Sequence, residues 1–156
     1  KTFNLAGLQI SNIIIPNESL RKEFQHQVTA AGYSQVGAPG IFALIAAYTK
    51  GEEWYQAMKQ YVTSNIDFLH TWMAEHLPQI KVTKTEGTYL VWMDFRALGL
   101  SDKELKELIE DKAEVWLDGG AIFGDPGSGF ERINVACQRA TLVEALDRIE
   151  KAVKNK

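Results

Sequence analysis

Cysteine is almost missing from this sequence: Cys137 stands alone among 156 residues. One thiol cannot build a disulfide framework within a chain, and a reducing, cytoplasmic setting is the simplest expectation. Long apolar runs are missing too. The longest, Ile41 to Tyr48, falls well short of the roughly 18 residues that a spanning helix needs, so no membrane partner is expected. There is no excess of basic charge: 17 Lys and Arg face 20 Asp and Glu, for a net −3. Without surplus cations there is little counterion release to drive phosphate binding, and no nucleic-acid partner is expected. The densest basic stretch, Lys151 to Lys156, reads as a solvated end. Metal-ligand spacing is lacking. His70 and His76 lie six apart, on different faces of a helix, and His26 stands by itself. No Ser/His/Asp signature is present. The opening stretch "KTFNLAGLQISN" has no initiator methionine, export signal, tag or helix cap. It reads as the interior of a longer chain.

What is present is an ordinary globular composition, 46% hydrophobic and 24% charged, enough for one good core. Ile10 to Ile15 is a β-branched run closed by Pro16-Asn17 and predicts a buried strand. Asn17 is placed to cap a helix carrying Leu20, Phe24 and Val28 on one stripe, ended by Gly32. A second helix is expected from about Ile41, bounded by Pro39-Gly40 and Gly51. Glu52 to His76 is the longest helical pattern, with Trp54, Met58, Tyr61, Val62, Asn65, Ile66, Leu69, Trp72 and Met73 on its stripe, and Pro78 stops it. At about 1.5 Å per residue such a helix spans roughly 35 Å, enough to join two domains.

From Lys81 the texture becomes α+β. "KVTKT" and "TYLVWMDF" flank Glu86-Gly87 as a hairpin. Ser101 and Glu104 form a capping box, followed by Leu105, Leu108 and Ile109 on a buried face. Val115 to Leu117 is a short predicted strand. "ERINVACQ" is another, and Thr141 with Glu144 is expected to cap a last helix burying Leu142, Leu146, Ile149 and Val153.

Two features of this last part have chemical potential. On the strand from Arg132 to Gln138, alternation puts Ile133, Val135 and Cys137 on one face and Arg132, Asn134 and Ala136 on the other. A guanidinium offers a planar fork that matches a carboxylate, although an exposed strand arginine is also compatible with the pattern. The Gly-rich loop at 118–129 could expose amides to an anion. It lacks the Lys-Ser/Thr of a P-loop and precedes a strand, so a shaped wall beside a substrate, or a plain connector, fits it better. Cys137 reads as a small buried hydrophobe rather than a nucleophile.

In their order along the chain, "KTFNLAGLQ", "AAYTKGEEWYQAM", "EGTYLVWMDFRALGLS" and "GGAIFGDPGSGFERINVACQRATLVEALDRI" resemble the C-terminal part of the fold-type-I pyridoxal-phosphate (PLP) enzymes. More narrowly, they resemble the class-II aminotransferase-like carbon–sulfur β-lyases of the MalY/PatB cystathionine β-lyase group. The resemblance runs over essentially the whole chain, and the loop-plus-strand segment is its most specific part.

The resemblance implies an α/β fold: the C-terminal portion of the aspartate aminotransferase-like architecture, with a small α+β C-terminal domain. Residues 1–50 would be the tail of the large cofactor-binding domain, 51–78 a long interdomain helix and 79–156 the small domain. Lys1 would be the catalytic lysine that forms a Schiff base with PLP and takes the substrate α-proton. Arg132 would grip the substrate α-carboxylate, with Asn134 supporting it. Related aminotransferases commonly carry an arginine eight residues past the lysine, reaching the cofactor phosphate. Gln9 stands there, which fits the lyase subgroup. The acidic partner of the pyridine nitrogen, the ring-stacking aromatic and most phosphate ligands lie before the lysine in that family.

The expected function is therefore a fragment of a homodimeric PLP-dependent carbon–sulfur β-lyase of cystathionine β-lyase type, acting on a small-molecule amino-acid substrate and releasing pyruvate, ammonia and a thiol. The fragment is expected to be inactive in isolation. An aminotransferase would use the same lysine and arginine, and a non-catalytic aminotransferase-like module is the alternative from another class.

Overall fold

The computed structural model describes residues 1–33 and 35–156. They form two compact units, Lys1–Met58 and Lys59–Lys156.

Unit 1 is helical. A 3₁₀ turn at Ala6–Leu8 precedes helix α1 (Glu18–Ala30) and helix α2 (Ala38–Lys50). Asn17 caps α1 as its sequence predicts, with its side-chain oxygen accepting from the Leu20 amide at 3.0 Å. Gly32 follows the helix with φ +77°, a conformation that glycine adopts without penalty. Helix α2 starts three residues earlier than the sequence suggested. Pro39 sits in its first turn, where no backbone N–H is needed, so it begins the helix rather than delaying it.

The expected strand Ile10–Ile15 does not form. The segment joins no ladder, and Ile13 and Ile14 are 61% and 85% exposed. A strand needs a partner for its amides, and unit 1 has no other strand among the described residues. The β-branched pattern alone could not supply that partner, and burial did not follow without pairing.

Helix α3 spans Glu52–His76, the bounds that the pattern predicted. Its later turns bury Asn65, Leu69, Trp72 and Met73 in unit 2. Four antiparallel strands follow: β1 (Lys81–Val82), β2 (Leu90–Asp94), β3 (Asp118–Gly119) and β4 (Phe130–Asn134), in the order β1-β2-β4-β3. The β1–β2 pair is the hairpin read around Glu86-Gly87. Val91 and Met93 of β2 and Ile133 of β4 are buried on one face of the sheet, in a core with Leu69, Phe95, Leu105, Leu108, Leu142, Leu146 and Ile149. Burying such side chains, at about 1.5–3 kcal/mol each, is what stabilises this unit.

Between β2 and β3 the Ser101–Glu104 capping box opens helix α4 (Asp102–Lys106), which widens into a π-helical turn at Glu107–Lys112. The strand expected at Val115–Leu117 is displaced: the ladder forms at Asp118–Gly119 instead. The Val115 amide turns back to the Ile109 carbonyl at 3.0 Å, and Glu114 takes φ +53°, so the backbone is still leaving the helix there. Helix α5 (Arg139–Lys154) also begins earlier than expected. Gln138, not Thr141, precedes it, and no side-chain cap comes from within the helix. The Tyr61 phenol of α3 accepts the Arg139 amide at 2.8 Å and so takes over the capping role from a distant part of the chain. Its buried face is the predicted one, Leu142, Leu146, Ile149 and Val153.

Candidate functional site

Lys1 lies in unit 1 and Arg132 in unit 2. Each has a local setting that can be built from its neighbours.

The Lys1 side chain is exposed, with no hydrogen bond or ion pair among the described residues. Its backbone is fixed two ways. The Asn4 amide donates to the Lys1 carbonyl at 3.0 Å, closing a tight turn in which Asn4 has φ +53°. Phe3 then packs its ring against Trp54, Tyr48 and Tyr55, with centroids 5.6, 6.1 and 6.2 Å away. Gly51 makes room for this ring: a Cβ there would stand 2.7 Å from Phe3 Cε1 and 2.4 Å from the Ala47 carbonyl oxygen. The chain thus presents a free primary amine on a turn anchored two residues away.

Arg132 sits on the sheet face opposite the core. Its register partners are Trp92 on β2 and Asp118 on β3. Its Nε and Nη2 both donate to Asp118 Oδ2, at 3.2 and 2.6 Å. The Phe123 ring lies 4.4 Å from the guanidinium carbon and the Trp92 ring 5.9 Å from it. Trp92 and Phe123 meet edge to face at 5.3 Å. The guanidinium is held at one edge, and Nη1 has no hydrogen-bond partner among the described residues. The donors left on that planar cation have the geometry that matches a carboxylate.

Asn134 does not join it. Its side-chain oxygen accepts from the Ala136 amide at 2.9 Å, an Asx-type turn that ends β4. The expectation that Asn134 supports Arg132 is corrected: sharing a face of the strand does not make two residues meet when local backbone bonding competes. Cys137 is partly buried against the core, and burial pushes its thiol up.

The Gly-rich loop is a folded wall. It makes two 3₁₀ turns, Gly120–Phe123 and Asp125–Gly127. Gly120 and Gly127 approach so closely that a Cβ on either would fall 2.1 Å from the other's carbonyl oxygen. Asp102 fastens the loop's far end, accepting from the Gly129 amide at 2.8 Å and from the Ser128 hydroxyl at 2.9 Å. Residue alternation could not reveal Asp118 or Phe123 as neighbours of Arg132. Their placement depends on strand register and on the loop's fold.

Behind the loop, Glu131 is buried on the core side of β4, and its Oε2 has no hydrogen-bond partner among the described residues. Desolvation, with Glu110, Asp118 and Asp102 nearby, pushes its carboxyl up to about 7. Asp94 is the contrast: bonded by Arg96, its carboxyl is held below the usual range.

Comparison with known proteins agrees with this architecture. Cystathionine beta-lyase PatB of Bacillus subtilis is 39% identical over 153 residues, covering 98% of this chain and 40% of that protein. The crystal structure of cystalysin from Treponema denticola, described as containing a pyridoxal 5′-phosphate cofactor, superposes with a TM-score of 0.95 at 37% identity. That match covers 99% of this chain and 39% of cystalysin. Aromatic-amino-acid aminotransferase 2 of Thermococcus litoralis is 36% identical, covering all of this chain and 40% of that enzyme. The chain spans about 40% of the length of the relatives it matches. With residues 1–149 matching the family profile, the chain belongs to the class I and II aminotransferases.

Proposed function

We propose that the full-length protein carrying this chain is a PLP-dependent carbon–sulfur β-lyase of the cystathionine β-lyase type. The observation that carries the proposal is the 39% identity to such a lyase along 98% of the chain. The donor set fits the cofactor: Lys1 offers an uncommitted primary amine, the group that a carbonyl cofactor needs. When bound, PLP supplies an electron sink for the bonds at the substrate Cα. Lys1 would hold it covalently and, once displaced by the substrate amine, accept the Cα proton. Arg132 would bind the α-carboxylate through its free fork and so set the direction of the Cα–H bond. The electron pair of that bond forms the Cα–Cβ double bond as the thiolate departs from Cβ. Water then completes pyruvate and ammonia.

In this proposal residues 1–50 are the tail of the large domain, 51–78 the interdomain helix and 79–156 the small domain. The parent is a cytoplasmic homodimer, with the groups that bind the ring and phosphate supplied outside this chain. The 156 residues alone would then lack lyase activity. An aminotransferase is the second reading, favoured by the 36% identity to an aromatic-amino-acid aminotransferase.

The test is to incubate the full-length protein with PLP and L-cystathionine, without any 2-oxo acid, and follow pyruvate and thiol. Steady release is expected. Lys1→Ala should abolish it, and Arg132→Ala should cost roughly 100-fold in kcat/KM, the scale of a lost charge-assisted fork. Amino transfer only when a 2-oxo acid is supplied would assign the protein to the aminotransferases.

A further inference from the structure

We propose that Asp118 is a positioning residue: it holds one edge of the Arg132 guanidinium so that the opposite edge receives the substrate carboxylate. This rests on the assignment of Arg132 as the carboxylate receptor. Asp118 and Arg132 are direct partners in the β3–β4 ladder, so their side chains rise from the same sheet face side by side. Asp118 uses a single oxygen, Oδ2, to bind both Nε and Nη2. That closes the side edge of the guanidinium. The flanking Phe123 and Trp92 rings restrict rotation about its plane. What remains is the end-on edge, Nη1 with the second hydrogen of Nη2, a two-donor fork of fixed direction.

The pair has little to do for the fold itself. The Asp118 side chain is 46% and the Arg132 side chain 23% exposed, β3 is two residues long, and a partly solvated ion pair contributes modestly to stability. Its effect falls on an incoming anion instead, and in two opposite ways. Asp118 orients the fork, which favours productive binding. It also partly neutralises the guanidinium, which weakens the attraction for any carboxylate. Two variants separate these effects. Asp118→Asn keeps an oxygen acceptor in place and removes the charge. Asp118→Ala removes both.

The experiment uses the full-length enzyme loaded with PLP. It measures kcat and KM for L-cystathionine and the inhibition constant of 3-phenylpropionate, a carboxylate probe without an amine. The expected results for Asp118→Ala are a fall in kcat of roughly 30-fold, the scale of a misplaced reacting group. Asp118→Asn should retain at least about tenfold more kcat than Asp118→Ala and bind 3-phenylpropionate roughly three- to fivefold more tightly, because one nearby negative charge is gone. An unchanged kcat in Asp118→Ala, or an unchanged inhibition constant in Asp118→Asn, overturns the proposal. If Asp118→Ala does not fold, the inhibition constant of the near-isosteric Asn variant decides alone. Arg132→Ala run in parallel separates the two layers. If it is crippled while both Asp118 variants resemble wild type, only the role of Asp118 falls. If it matches wild type in both kinetics and inhibition, the carboxylate-receptor assignment falls with it.

Discussion

Glu131 makes the stability of unit 2 depend on pH in a range where ordinary carboxylates have finished titrating. The residue is 4% exposed, Oε2 is unpaired among the described residues, and burial raises the carboxyl from an ordinary 4.5 to about 7. Below pH 4.5 the folded and unfolded chains both carry the proton, and nothing is lost. Between 4.5 and 7 the unfolded chain releases the proton while the folded one keeps it, so stability falls as pH rises. Above about 7 both forms are ionised and the loss is complete, at roughly 3 kcal/mol. Asp94 acts in the opposite sense: its depressed carboxyl loses stability only as pH falls into the acid range, outside this window. The perturbation is Glu131→Gln, which cannot ionise. The assay is urea unfolding of wild type and variant from pH 5 to 8.5, followed by tryptophan fluorescence. The stability difference between them should shift in favour of the variant by about 2.5 kcal/mol across that range, since part of the loss precedes pH 5. A difference that stays constant within about 0.5 kcal/mol would refute the buried-acid argument.

Asn65 and Gly51 provide two further tests. Asn65 is fully buried; its amide donates to the Val135 and Cys137 carbonyls at 2.8 and 3.0 Å, and its oxygen accepts from Arg139 Nε at 2.8 Å. Asn65→Ala strands three polar groups and should cost about 3 kcal/mol in chemical denaturation. Asn65→Asp should also destabilise, because the carboxylate cannot donate to the two carbonyls. Gly51→Ala would press a methyl group into Phe3 and the Ala47 carbonyl, so a loss of about 1–3 kcal/mol in unit 1 is expected. If the full-length protein binds PLP through Lys1 as proposed, the same change should raise the amount of PLP needed for saturation, because it shifts the turn that carries Lys1. An unchanged cofactor titration would disconnect Phe3 from the lysine.

Legibility from sequence followed the range of the interactions involved. Helix α3 was readable to the residue because its stripe, its acidic start and Pro78 are local signals. The Ser101 capping box was readable for the same reason, since donor and acceptor lie three residues apart. The start of α5 was not, because its cap is Tyr61, 78 positions away. Likewise, Ile10–Ile15 has the composition of a strand, but pairing is supplied by a partner that a local pattern cannot provide. The roles proposed for Lys1 and Arg132 come from resemblance, whereas strand alternation by itself put Arg132 on the face opposite the core. Asp118, Trp92 and Phe123 were not legible, since only the β2–β4–β3 register and the loop's two turns bring them to one guanidinium. Glu131 was missed for a different reason. A charged residue beside a candidate arginine invites a solvent-facing reading, whereas strand alternation assigns it to the core side.

The contact between Gly120 and Gly127 divides the loop into a fixed neck and a free crown. Backbone meets backbone at the neck, while Ile122 is 72% and Phe123 49% exposed in the crown. Variation should therefore be partitioned. Side chains at the two neck positions are excluded by space, Phe123 is held against Trp92 and Arg132, and Gly124 has φ +111°, which leaves the exposed Ala121, Ile122, Asp125 and Pro126 open to exchange. For protein engineering, these four positions are graftable: new side chains there would change the surface beside Arg132 while Phe123 and the strand register stay in place.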